Sequence, residues 1–157
     1  MDVDNQTSIR RAVPDDAAPI ARVHLSSRAA TMPYLPPQSH TADEVTGWVR
    51  DVVLHDCRTW VATRGTRIVG YAALQGEVLD QLYLRPDVLR QGVGTRLLET
   101  VKRHSPTGVT LHVFARNTGA RAFYARHGFT VLAEGDGSGT MEGLPDMTLC
   151  WRPGDTR

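Results

Sequence analysis

Gly92-Val93-Gly94 is the point in this sequence where the backbone itself is equipped for chemistry. A strand-like run from Val78 to Leu84 ends at Pro86, and beyond Arg90-Gln91-Gly92-Val93-Gly94-Thr95 the residues Val93, Leu97, Leu98 and Val101 fall on one helical face. A glycine turn that enters a helix exposes several N–H groups, and the helix N-terminus adds partial positive charge, so a phosphate is the natural guest. The same glycines would also serve a tight turn that only relieves crowding, and the motif by itself leaves both uses open. Two familiar nucleotide motifs are excluded: a Rossmann fingerprint needs glycine where Leu97 stands, and a P-loop needs Gly-Lys-Ser/Thr. His24, His40, His55, His104, His112 and His127 show no ligand spacing, and neither do Cys57 and Cys150, so no metal is expected.

The elements that must position this turn follow from periodicity. Ser8 to Val13 reads as a first strand, and Pro14 opens a helix with Ala17, Ile20 and Val23 on one face. Met32 to His40 holds three of the nine prolines and reads as a loop. Thr41-Ala-Asp-Glu44 resembles a capping box, and Val45, Trp48, Val49 and Val52 continue a second helix to about His55. Thr59 to Thr63 and Arg67 to Leu74 form a hairpin around Arg64-Gly65-Thr66, followed by the strand Val78 to Leu84. Val109 to Phe114 is a strand, Asn117 to about His127 a helix ended by Gly128, and Phe129 to Ala133 and Met147 to Trp151 two last strands. The stretch Gly135 to Gly139 between them reads as flexible. The class is α+β, with a mixed, mostly antiparallel central sheet flanked by helices.

At 157 residues and 41% hydrophobic content the chain suits one domain, 1–157, with residues 1–7 expected as a flexible N-terminus. Eighteen basic against 17 acidic residues leave a net charge of +1, so no general grip on nucleic acid or an anionic membrane is expected. Met1 to Arg10 is too polar for a secretory signal and no run is long and apolar enough to span a bilayer, which makes a reducing cytoplasmic location the expectation.

Two stretches, Leu82-Tyr-Leu-Arg-Pro-Asp-Val-Leu-Arg-Gln-Gly-Val-Gly-Thr95 and Asn117-Thr-Gly-Ala-Arg-Ala-Phe-Tyr-Ala-Arg-His-Gly-Phe129, occur in the order and context that resemble the GCN5-related N-acetyltransferase (GNAT) family. The resemblance covers Ile9 to Trp151 and implies an acyl-CoA N-acyltransferase fold, with acetyl-CoA as cosubstrate. It implies that the backbone of Leu82, Tyr83 and Leu84 pairs with pantetheine and supplies an oxyanion amide. It also implies that Arg90, Gln91, Gly92, Val93, Gly94 and Thr95 hold the diphosphate. The family pattern Gln/Arg-x-x-Gly-x-Gly/Ala is broken at its first position by Leu89. Arg90 beside it is either a phosphate ligand or a solvated arginine.

Amide formation needs a neutral amine, a stabilised oxyanion and a proton for the departing thiolate. The resemblance puts Tyr124 near the cofactor sulfur as general acid; its plain alternative is a core aromatic beside Phe123 and Phe129. Asn117 is a helix cap, a CoA contact, or both. For the base, Glu77 and His112 lead and Asp80 is third. Simple alternation puts Glu77, Gln81 and Tyr83 on one face and Asp80 with Leu82 and Leu84 on the other, unless a bulge intervenes. The segments 32–40 and 135–145 are expected to wall the acceptor site, Tyr34 and Leu35 forming its lip or only anchoring the loop. The expected acceptor is a small-molecule primary amine attacking directly in a ternary complex. A protein N-terminus or lysine, and a non-catalytic acyl-CoA sensor, are the alternatives, and a homodimer stays open.

Overall fold

The computed structural model describes residues 6–138 and 142–154. Among them are the strands β1 Thr7–Arg11, β2 Arg58–Arg64, β3 Arg67–Gln75, β4 Val78–Leu84, β5 Val109–Phe114, β6 Thr130–Gly135 and β7 Asp146–Trp151. They build one sheet in the order β1-β2-β3-β4-β5-β7-β6, antiparallel throughout except between β4 and β5. The helices are α1 Ala17–Thr31, α2 Ala42–Trp48, α3 Leu54–Asp56, α4 Val93–His104 and α5 Thr118–Arg126. This is the expected α+β class, with helices on both faces of a mostly antiparallel sheet.

Each face has its own core. Ile20 and Val23 of α1, with Val45, Val49 and Val53, pack on Val61, Ile68, Tyr71 and Ala73. Val93, Leu97, Leu98 and Val101 of α4, with Tyr124 of α5, pack on Ala62, Val69, Ala72, Leu74 and Leu111 of the opposite face. Because β3 is covered on both sides, residues 68–74 are all buried, and its sequence is a near-continuous apolar run rather than an alternating one. Each fully buried Leu or Val of this kind contributes about 1.5–3 kcal/mol.

The second helix starts where the capping box predicts, with Thr41 N–H donating to Glu44 Oε1 at 3.0 Å and Glu44 N–H to Thr41 Oγ1 at 3.1 Å. It does not run on as one α-helix. A π-helical turn, Val49–Val53, joins α2 to α3 and lets Val49 and Val53 both reach the core. Other boundaries move by a residue or two: β1 already includes Thr7, so the expected flexible segment 1–7 is too long, and residues 1–5 lie outside the described residues. Likewise β6 takes in Gly135, paired with Asp146, while Gly139 of the expected flexible stretch lies outside them.

Two irregularities in β4 position everything that follows. The ladder between β4 and β5 has the single register pair Val78↔Thr110, supported by Thr110 N–H donating to Glu77 O at 2.8 Å, and the strands then diverge. On its other edge β4 pairs with β3, but the register jumps: Leu74 faces Leu79 while Ala73 faces Gln81, so Asp80 is an extra residue in a bulge. The bulge corrects the simple alternation. Leu79 joins Leu82 and Leu84 on the α4 side, and Gln81 and Tyr83 turn towards α1.

Candidate active site

Where β4 leaves β5, a cleft of about 270 Å3 opens, lined by Leu79, Asp80, Leu82 and Tyr83 from β4 and by residues 111–114 of β5. Asn117, Ala120 and Tyr124 close it on the α5 side, and Met32, Glu142 and Asp146 stand at its other end. Among the described residues no strand pairs with the β5-facing backbone edge of β4 beyond Val78, which leaves peptide groups of residues 80–84 open to a ligand.

The glycine turn lies just past the end of β4. Gly92 is the N-cap of α4 with φ +85°, no side chain caps the helix, and a Cβ there would meet nothing within 4 Å. Gly92 is therefore required by backbone conformation and leaves the helix N-terminus open, with amides that have no intrahelical partner. Gly94 is required by crowding: a Cβ would come to 3.3 Å from the Phe123 ring and 3.4 Å from Leu84 Cδ1. Backbone conformation thus demands the first glycine and packing the second. Arg90 is also left-handed, at φ 64°. Gln91 is held by its side chain, accepting from Arg64 Nη1 at 2.7 Å and donating to Asp87 O at 3.1 Å. Val93 puts its side chain in the core, and Thr95 Oγ1 contacts His127 Nε2 at 3.1 Å. Leu89 is 40% exposed at the rim.

Tyr124 is buried beside Phe123 and Phe129, at ring distances of 5.2 and 5.3 Å, and also lines the cleft, so it is a core aromatic with a hydroxyl available to the site. Burial, then the neighbouring Tyr83, pushes its phenol up, which keeps it protonated and a donor at neutral pH. The Tyr83 phenol is pushed up to about 12 by burial, reinforced by Asp80 and Glu142 and opposed by Arg28. Asn117 caps α5 by accepting from Ala120 N–H at 3.2 Å and lines the cleft as well.

The three base candidates separate. Glu77 sits at the closed end where β4 and β5 pair, its carboxylate receiving the Thr107 hydroxyl at 2.9 Å and facing Arg152 at 3.7 Å, and it is not among the residues lining the cleft. The structure thus corrects the order of candidates, because a group tied there does not reach the diverging strands. His112 and Asp80 both line the cleft, His112 with Nδ1 at 3.1 Å from Thr148 Oγ1 and Asp80 accepting from Gln81 Nε2 at 3.2 Å. Among the described residues no group of three or more His, Cys, Asp or Glu could hold a metal, and no helix is long and apolar enough to cross a membrane. From the two expected walls, Met32 and Glu142 reach the cleft, while Tyr34 anchors its loop, edge-on to Phe114 at 6.2 Å and under the Arg116 guanidinium at 4.7 Å. Asp146 and Phe114 were not singled out by sequence reasoning; their place at strand ends beside the opening follows from pairing, not from residue type.

The acetyltransferase (GNAT) domain profile matches residues 55–131. A curated relative, the peptidyl-lysine N-acetyltransferase YjaB of Salmonella typhimurium, is 34% identical over 99 residues, 62% of this chain and 68% of that protein. The chain belongs to the GNAT acetyltransferase family. The solution structure of apo-form YjaB from Escherichia coli aligns to this GNAT chain with a TM-score of 0.75 and 28% identity, covering 93% of it and 97% of YjaB. The structure of yncA, a putative acetyltransferase from Salmonella typhimurium with its cofactor acetyl-CoA, shares the fold at a TM-score of 0.74 and 18% identity, covering 94% of each chain.

Proposed function

We propose that this GNAT enzyme transfers the acetyl group of acetyl-CoA to the ε-amine of a lysine side chain in a protein or peptide. The observation that carries the reading is the divergence of β4 from β5 after Val78↔Thr110. It brings an unpaired backbone edge, the Tyr124 hydroxyl and the Asp80 carboxylate onto one cleft beside an open helix N-terminus. The cleft fits the donor: the β4 edge suits the amides of pantetheine, and the turn at Gly92 suits the diphosphate. Arg90 is an exposed cation beside that turn.

For the acceptor, a lysine replaces the small amine expected from sequence. YjaB of Salmonella typhimurium is named a peptidyl-lysine N-acetyltransferase, and the carboxylates Asp80, Glu142 and Asp146 in the cleft favour a cationic chain. The ε-ammonium must lose a proton before it attacks, since its free pKa is about 10.4. Asp80 receives the ammonium, and His112, with Nδ1 occupied by Thr148, accepts the proton directly or through water. A backbone N–H of residues 82–84 meets the oxyanion as the thioester carbonyl is attacked. The C–N bond forms, the C–S bond breaks, and Tyr124 O–H donates to the sulfur as negative charge gathers there, while the proton released by the attacking nitrogen restores the phenol through water. Direct attack in a ternary complex needs no covalent enzyme intermediate.

The test is acetylation of lysine-containing peptides by the purified protein with acetyl-CoA, in parallel with small primary amines and followed by mass spectrometry. A lysine ε-acetyl product formed faster than any small-amine product supports the reading. Faster transfer to the small amines returns the assignment to a small-molecule acceptor, and CoA binding without transfer identifies a sensor.

A further inference from the structure

Asp80 is the terminus of a line of polar side chains that starts at His24 of α1 and runs along the α1 side of β3 and β4. His24 Nδ1 lies 2.9 Å from the Tyr71 hydroxyl, the Tyr71 hydroxyl 3.5 Å from Gln81 Oε1, and Gln81 Nε2 3.2 Å from Asp80 Oδ2. Tyr71 is fully buried, and Trp48 and Tyr83 pack against the His24 ring at 5.2 and 4.9 Å. Among the described residues no cation pairs with Asp80, although it lines the cleft.

The direction of the line follows from chemistry. An ionised carboxylate only accepts, so Gln81 must present its amide N–H2 to Asp80 and its carbonyl to Tyr71. Tyr71 has one proton, and giving it to Gln81 leaves its oxygen to accept from His24, whose hydrogen must therefore sit on Nδ1. Burial, with Arg28 adding to it, moves His24 down to about 4, so the ring is neutral and has one N–H to place. Every donor points the same way, from α1 to the cleft. The bulge leaves Asp80 without a partner on β3, beside Gln81, whose side-chain amide bonds it.

We propose that His24, Tyr71 and Gln81 are positioning residues, a one-way line of donors that fixes the Asp80 carboxylate in the cleft as the docking point for the acceptor's ammonium. The docking role rests on the lysine reading above. The line itself is a property of the fold. Its weakest link is the 3.5 Å contact, so Gln81 carries more of the effect than Tyr71.

Two readouts on the full-length protein test it. The imidazole 15N shifts of His24 at neutral pH should report the Nδ1–H tautomer in the wild type. They should move towards Nε2–H in Gln81→Leu, where the Tyr71 hydroxyl is released to donate to Nδ1. In lysine-peptide acetylation, Gln81→Leu should lower kcat/KM for the peptide about tenfold and Tyr71→Phe less, with KM for acetyl-CoA within about twofold of wild type. Asp80→Asn should lose at least as much as Gln81→Leu. An Nε2–H tautomer in the wild type overturns the line of donors. The expected tautomer with peptide kinetics unchanged in Gln81→Leu overturns its positioning role, even where melting temperature falls. No lysine transfer by the wild type overturns the lysine reading and the docking role with it, while the 15N shifts still decide the line of donors.

Discussion

Tyr124 does two jobs whose separation can be measured. Its ring completes the core between Phe123 and Phe129, and its hydroxyl is kept protonated by burial at the cleft wall. Tyr124→Phe keeps the ring and removes the donor, so the fold and acetyl-CoA binding should survive while kcat falls about 10²–10⁴-fold. Steady-state kinetics beside a calorimetric acetyl-CoA titration checks this; near-wild-type kcat would leave Tyr124 with the packing role alone. The same residue shows where sequence reading is strong. Asn117 and Tyr124 belong to one short stretch that resembles the family's, and both line the cleft. Glu77 and Asp80 show where it is weak. They are three positions apart on one strand, and which of them faces the cleft depends on a bulge and on where two strands part. Both are properties of pairing with residues far away in the chain, and no local pattern encodes them.

At the scale of elements, the glycine turn works because the end of β4, the start of α4 and the face of α5 converge on it. Gly92→Glu would force a side chain into a left-handed conformation at φ +85° and set a negative charge before the α4 amides. Loss of acetyl-CoA affinity by about two orders of magnitude, with the fold retained, is the expected titration result. Gly94→Leu acts differently. Its Cβ alone meets Phe123 and Leu84 at 3.3–3.4 Å, so the variant should lose about 1–3 kcal/mol of stability by overpacking, besides any loss of binding. Chemical denaturation of the two variants separates the effects, and equal destabilisation would contradict the assignment of conformation to one glycine and packing to the other. Element identity here was legible: apolar spacing gave α4 its buried face, and Thr41 with Glu44 marked the start of α2. The π-helical turn Val49–Val53 was not, because the same valines suit either helix geometry and the packing against α1 and β3 selects the wider one.

Across the whole molecule, the line from His24 to Asp80 ties the α1 core to the cleft and gives folding a pH dependence. His24 falls from the ordinary histidine value of 6.5 to about 4 in the folded protein, chiefly through burial and secondarily through Arg28. Its folded pKa lies below its unfolded one, so above pH 6.5 the ring is neutral in both states and contributes no pH dependence. Between pH 6.5 and 4 the unfolded chain takes up a proton that the folded protein refuses, and stability falls as pH falls. The largest loss this one group can produce is about 3 kcal/mol, fully developed near pH 4. Asp16 acts in the same direction over a lower window. Its carboxylate is held below the usual range by the Arg10 guanidinium, at 2.8 Å, and its contribution is lost only as pH falls through that depressed value. His24→Gln keeps a side chain able to bond the Tyr71 hydroxyl and cannot titrate. Urea denaturation of wild type and His24→Gln from pH 7.5 to 4 should therefore give curves that run parallel above pH 6.5 and converge below it, as the wild type alone loses stability to His24. Curves that stay parallel down to pH 4 would mean that the ring protonates in the folded protein without cost, so that the one-way line of donors would lose its neutral imidazole below about pH 6.5 instead of about pH 4.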